Sequence, residues 1–308
     1  MIFTPLNPDE PSPDVDEVAA LWSECAPELP LEPATLRQRL GGTVGTFLLA
    51  REENELRGFI WLQPPTQPEA PGFLSALAVH PEARRKGLAT QLLQRAARDL
   101  ADCTRLKVGG SATHLVPGVP LGSDVTLRHF LRAQGATFGS VVHDLYLDLR
   151  PPLPKISLSA DLTVETDSPD GVLRFLERVF PGRWRESAEW YLERGNIVLS
   201  LEKDGKVLGF CCVFQPGATF AGPSLFWRRA LMGSVAGLGP IGIDPDLRGQ
   251  GQGLAFFSAA AGWLRTRGAE HLLVDWTDLT GFYGRAGAHV WRSYQYATFS
   301  LDGLTEIP

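Results

Sequence analysis

Two stretches of this sequence carry the same chemistry-bearing pattern. Arg84-Arg85-Lys86-Gly87-Leu88-Ala89 and Arg248-Gly249-Gln250-Gly251-Gln252-Gly253 each set an arginine three residues ahead of a glycine, with Ala or Gly two further on. A loop of this kind that runs into a helix turns several backbone amides toward one point, because the first N–H groups of a helix have no intrahelical acceptor. The helix dipole adds partial positive charge there, so the point attracts phosphate oxygens. Gly87 and Ala89, or Gly251 and Gly253, keep side chains clear so that a diphosphate can reach the main chain. Arg84 and Arg248 open the loops, where a guanidinium supports the same anion. Taken once, the pattern equally describes a helix start that needs small residues, and Arg85 and Lys86 equally read as solvated surface charges. The Gly-Lys-Ser/Thr ending of a nucleotide-hydrolysing loop is absent, as is the first glycine of a GxGxxG series in the first stretch.

The elements around the two stretches repeat as well. Each loop follows a short apolar strand, FLSALAV or GPIGI, and precedes about 15 residues of helical pattern. In the first helix Leu88, Leu92, Leu93, Ala96 and Leu100 share a face, whereas AFFSAAAGWL in the second is apolar nearly all round and predicts deeper burial. A further strand follows in each half, TRLKV or HLLVDW, then a short helix, FLRAQGA or FYGRAGA. Upstream, each half carries acidic amphipathic helix and a hairpin: GTFLLA and LRGFIWLQ about Glu52–Glu55, NIVLSLEK and KVLGFCCVF about Asp204-Gly205. The chain is thus one unit written twice. Domains are expected over 1–150 and 155–308, joined by a proline-stiffened linker at 151–154. Each is expected to be an α/β (α+β) domain with a mixed, mostly antiparallel sheet flanked by helices.

Bulk properties narrow the classes. At 308 residues two buried cores are affordable, and 44% apolar with 21% charged residues is an ordinary globular mixture. A net charge of -6 without a dense basic run argues against nucleic acid or an anionic membrane as partner. The cysteines Cys25, Cys103, Cys211 and Cys212 have no CxxC spacing, and the six histidines do not cluster at ligand spacing, so no metal is expected. The proline-rich acidic start lacks the pattern of a secretory signal and no apolar run is long enough to span a bilayer, which makes the cytoplasm the default expectation.

With both loops in place, the chain resembles the GNAT-type N-acetyltransferases, whose signature is Arg/Gln-x-x-Gly-x-Gly/Ala after a strand ending in Val-x-Pro. The resemblance spans both halves, as in tandem GNAT enzymes. It implies an acyltransferase that moves an acetyl or other acyl group from acyl-CoA, acetyl-CoA being the co-substrate, to a primary amine of a small molecule or protein. It implies that residues 84–89 and 248–253 hold the pyrophosphate. Main-chain atoms of Leu77, Ala78 and Val79, and of Ile241, Gly242 and Ile243, would pair with the pantetheine arm. A family tyrosine that protonates the coenzyme A sulfur falls on Tyr283 in Phe282-Tyr283-Gly284-Arg285-Ala286-Gly287-Ala288, where the first half has Leu131.

The resemblance therefore places the chemistry in the second copy, with the first copy free to bind acyl-CoA without turning it over. Tyr283 has a second reading, as a helix tyrosine packing its ring on the sheet. The strand Leu238–Ile243 lacks the glutamate many family members use as base. Asp275 is the candidate for base or amine binder, and equally reads as a turn carboxylate beside Thr277 and Asp278. A non-catalytic acyl-CoA sensor or scaffold is the alternative function. The acceptor, and the choice between monomer and homodimer, are left open.

Overall fold

The computed structural model of the chain describes residues 1–7, 12–41, 43–100, 103–111, 114–122, 125–166 and 168–302. Packing divides it into two units: residues up to Val142 together with the chain from Ser293 onward, and His143–Arg292.

The first copy runs β1 (Ile2–Pro5), α1 (Asp14–Cys25), α2 (Pro33–Leu40), β2 (Thr46–Glu52), β3 (Glu55–Gln63), β4 (Gly72–Val79), α3 (Leu88–Ala97), β5 (Arg105–Val108), β6 (Val119–Pro120), α4 (Thr126–Ala133) and β7 (Thr137–Asp148). The second repeats the order with β8 (Thr163–Glu165), α5 (Pro169–Val179), α6 (Arg183–Glu193), β9 (Ile197–Lys203), β10 (Lys206–Phe214), β11 (Val235–Ile243), α7 (Gln252–Thr266), β12 (His271–Thr277), α8 (Thr280–Gly284) and β13 (His289–Ser300). In each unit the sheet is antiparallel except for one parallel pair, β4 with β5 and β11 with β12. A parallel pair needs a crossover, which α3 and α7 supply.

Local chemistry sets these elements. Glu53 and Asn54 have φ of 52° and 71°, and Asp204 and Gly205 have 49° and 70°, so both hairpins close through two residues of positive φ, the turn that matches strand twist. The α3 residues Leu88, Leu92, Leu93 and Ala96 are buried on one face as their spacing demands. Helix α7 buries Leu254, both phenylalanines, Ala260, Ala261 and Leu264. Under α7, a core of these residues with Leu238, Leu272, Val274 and Tyr283 fills one face of the second unit, and a second core under α5 and α6 fills the other.

The units in space differ from the repeat in sequence at the closing strands. Leu145, Leu147 and Asp148 of β7 pair with β12 in the second unit, and residues 298–300 of β13 pair with β5 in the first. The proline-rich linker at 151–154 accordingly lies within the second unit, whose core Leu153, Ile156 and Leu158 cover. Both closing strands follow similar short helices, and strand pattern alone does not name the edge a strand will join.

Close packing against the sheet makes one prediction. A Cβ at Gly242 would lie 2.8 Å from Phe180 Cε2 and 2.9 Å from Phe210 Cε1. Those rings are held in a cluster with Trp184 and Phe175. Gly242→Ala is expected to destabilise the second unit by about 1–3 kcal/mol, measured by urea unfolding.

Candidate active site

Each sheet opens at the same place. The parallel ladder of β4 and β5 ends at Leu74 with Val108, and that of β11 and β12 ends at Leu238 with Val274. The next residue begins a bulge: against β3, β4 carries Ser75 as an extra residue, and against β10, β11 carries one extra residue between Leu238 and Ile241. A bulge bends its strand. Beyond it the arms Ser75–Val79 and Gly239–Ile243 separate from the neighbouring strand, and β11 changes from fully buried to half-buried at Gly239. Main-chain groups on such an arm face a gap in place of a ladder partner, which suits an extended ligand with amide groups.

The glycine loops lie at the open ends of these arms, and their backbones repeat in detail. His80 and Asp244 each cap a short turn by accepting from the amide two residues on, at 3.3 and 3.1 Å. Arg84 and Arg248 follow with φ,ψ of -67°,157° and -70°,156°. Arg85 and Gly249 take φ of 63° and 72°, and Gly87 and Gly251 both take 79°. Gln91 and Ala255 donate to the carbonyls of Gly87 and Gly251, so the amides of residues 87–90 and 251–254 have no earlier helical carbonyl to bind. No side chain caps either helix. Gly87, Gly249 and Gly251 are exposed. These uncapped, uncovered amides fit a pyrophosphate. Arg85 holds a left-handed backbone that favours glycine, a local strain of the kind found at ligand loops.

The arginines are placed differently from one another. Arg84 Nε donates to Val79 O at 3.0 Å, tying the loop to the end of β4. Arg248 lies 5.8 Å over the Phe180 ring. Gln252 belongs less to the cradle than to its support: it is 9% exposed and exchanges hydrogen bonds with Ser159, which pins the segment after the prolines to the α7 N-terminus.

Tyr283 on α8 is 5% exposed, with its ring edge-on to Phe257 and Phe282 at 4.9 Å each. Its hydroxyl makes no hydrogen bond with a described residue, unusual for a buried tyrosine. Burial, with the nearby Cys211 and Asp275, raises its pKa far above the ordinary tyrosine value, so it carries its proton throughout the neutral range. The ring is packed as core. The shift also links to stability. Below pH 10, the ordinary value, the phenol is protonated in folded and unfolded chain alike. Above it the unfolded phenol ionises while the folded one keeps its proton, and this contribution is lost as pH rises toward the folded pKa. Unfolding free energy is expected to fall more steeply above about pH 10 in the wild type than in Tyr283→Phe, as urea titrations at stepped pH will report.

Asp275 sits where β12 leaves its ladder, with Oδ1 3.4 Å from the position a Cβ would take on Gly239 across the gap. The sequence reading missed what places it. β12 carries an extra residue between Val274 and Thr277 relative to β7, Trp276 has φ of 49°, and buried Asp144 accepts from the Trp276 amide at 3.2 Å. Arg183 covers the Trp276 ring at 4.4 Å. An aromatic residue at positive φ leaves no pattern in sequence. In the segment Phe220–Trp227, Phe220, Leu225, Phe226 and Trp227 are all buried.

In the first unit a cavity of about 570 Å³ occupies the corresponding gap, lined by Leu77–Val79, Arg84, Arg85, Gly87–Ala89 and residues of α1 and α4. Leu131, at the position of Tyr283, is fully buried. Among the described residues no group of three His, Cys, Asp or Glu could hold a metal, and no helix is long and apolar enough to cross a membrane.

A mixed sheet parted at a bulge, with an uncapped glycine loop at the open end of the parted strand, occurs here twice. The chain belongs to the GNAT family of acetyltransferases, whose model, described as acetyltransferase (GNAT) family, matches residues 15–114 and 170–288. It is 27% identical over 291 residues to a mycothiol acetyltransferase of Thermobispora bispora, covering 85% of this chain and 87% of that one. A tandem GNAT protein from the clavulanic acid biosynthesis pathway superposes with a TM-score of 0.72 at 18% identity, covering 97% of this chain and 98% of that one. A glucosamine N-acetyltransferase region of a fungal multi-domain GH3 β-N-acetylglucosaminidase superposes with a TM-score of 0.82 at 24% identity. There, 97% of this chain spans 38% of a longer protein.

Proposed function

We propose that the protein transfers an acetyl group from acetyl-CoA to a primary amine, with the chemistry in the second copy. The observation that carries this reading is the Tyr283 phenol: buried, held protonated and without a hydrogen bond to a described residue, on the helix that follows β12. Acetyl-CoA supplies an activated thioester. The amides of residues 251–254 and the loop from Arg248 to Gly253 bind and fix its pyrophosphate, and the arm Ile241–Ile243 aligns the pantetheine. Asp275, at the mouth of the same gap, orients the acceptor amine or takes its proton, and Tyr283 delivers a proton to the departing sulfur. In the first copy the loop from Arg84 to Ala89 and the arm Leu77–Val79 offer a second acyl-CoA site. The similarity to a mycothiol acetyltransferase favours a small amine-bearing acceptor over a protein one.

The test joins calorimetry with acetyl-CoA to an assay of thiol release against a panel of aminosugar derivatives, polyamines and amino acids. Release that depends on one class of amine is the expected result. Binding with no release above the hydrolysis blank for any amine would favour a sensor or scaffold instead.

A further inference from the structure

We propose that Arg178, in the last turn of α5, is a positioning residue for coenzyme binding at the second copy: through Asp244 it holds the turn that sets the glycine loop. The inference rests on the reading that this loop holds acyl-CoA.

Asp244 is 6% exposed and joins two partners. Its Oδ1 accepts from the Asp246 amide at 3.1 Å, and its Oδ2 accepts from Arg178 Nη2 at 3.0 Å. The turn it opens runs into the loop through bonds between near neighbours. Leu247 N donates to Asp244 O at 3.0 Å and Arg248 N to Pro245 O at 3.1 Å, and the Gln250 side chain reaches back to Asp246 O at 2.7 Å. Three hydrogen bonds thus lead from the α5 guanidinium to Gln250, whose neighbour Gly251 begins the free amides. The same helix end touches the rest of the site: the Phe180 ring lies beneath Arg248 at 5.8 Å and fills the space that a Cβ on Gly242 would need.

Burial would raise the Asp244 pKa, but the Asp246 amide and the Arg178 guanidinium, with Lys206 nearby, outweigh it and keep the carboxyl below the ordinary aspartate value. Without Arg178 an ionised oxygen is left in a buried place, and the turn gives way to solvate it. Arg178 itself is half exposed, so replacing it opens no cavity in the core.

The first copy carries the same link with donor and acceptor exchanged. Glu24 is the last residue but one of α1, as Arg178 is of α5, and His80 opens the first turn as Asp244 opens the second. His80 Nδ1 accepts from the Glu82 amide at 3.3 Å, which puts the ring proton on Nε2, 3.2 Å from Glu24 Oε1. What recurs at matching positions is the tie from helix to loop, whereas the residues that make it differ.

A tie of this kind has a kinetic signature. When the loop spends a smaller share of its time in the coenzyme-binding form, the apparent Kd rises by the inverse of that share, while bound coenzyme reacts at the same rate. A residue that served stability alone would lower the amount of folded enzyme, so apparent kcat would fall and KM would stay.

The experiment uses the full chain with acetyl-CoA and an amine that supports thiol release. Arg178→Gln is expected to raise KM for acetyl-CoA roughly 3- to 10-fold, the loss of about one net hydrogen bond, with kcat within about twofold. Arg178→Lys, which still donates to Asp244, is expected to recover part of that loss. Arg178→Glu is expected to do worse than Arg178→Gln, and Arg178→Glu combined with Asp244→His, which copies the pairing of the first unit, to bring KM back toward wild type. Hydrogen exchange of the Asp246–Arg248 amides in the free chain needs neither coenzyme nor amine, and is expected to quicken in Arg178→Gln by about the same factor as KM rises. The proposal is overturned if Arg178→Gln leaves KM unchanged, if it lowers kcat at constant KM, or if the turn amides exchange at the wild-type rate. Calorimetry that finds no acetyl-CoA bound to the wild type would instead overturn the coenzyme reading, and this role in binding with it.

Discussion

Tyr283→Phe is expected to lower turnover roughly 10²- to 10⁴-fold while the Kd for acetyl-CoA stays within about twofold. The substitution removes one hydroxyl and leaves the ring against Phe257 and Phe282, so the core under α7 keeps its shape. No hydrogen bond to a described residue is broken, and the fold loses no partner. The effect therefore falls on the proton that the phenol would give as the C–S bond breaks. A stopped assay of thiol release with calorimetry on the same preparation separates the two quantities. A proportional loss in affinity and rate would place the tyrosine in binding, and an unchanged rate would return it to the core alone.

Gly251→Asp is expected to weaken acetyl-CoA binding at the second copy roughly 10²-fold with little change in thermal stability. A Cβ at Gly251 meets nothing within 4 Å, so the site has room for the side chain. The φ of 79° costs an ordinary residue about 1–2 kcal/mol, and Asp tolerates it better than most. Opposing this, a carboxylate beside the free amides of an α7 N-terminus is stabilising by about 0.3–1 kcal/mol. The same carboxylate competes with the diphosphate for those amides and repels it. Losing charge-assisted hydrogen bonds worth about 2–3 kcal/mol corresponds to the stated loss of affinity. Calorimetry is expected to report two sites in the wild type and one, that of the first copy, in this variant, and Gly87→Asp is expected to remove the other. Equal loss at both sites from either variant would mean that the loops are not independent cradles.

Much of this site was legible in the sequence because its parts are local. The positive φ at Gly87 and Gly251, the capping turns at His80 and Asp244 and the hairpins at Glu53-Asn54 and Asp204-Gly205 are each set by a few consecutive residues. The glycine loops and hairpins, present twice in register, mark the tandem arrangement.

By itself, the chain determined the two glycine loops, the strands and helices that carry them and the difference between Tyr283 and Leu131, all properties of short segments. Tertiary structure decided where each sheet parts, which edge each closing strand joins, and that Asp144 holds the turned backbone beside Asp275. Those outcomes depend on register between strands distant in sequence. A strand's alternation of side chains says which face it buries, while the identity of its neighbour and the point at which pairing stops come from competition among all the strands at once.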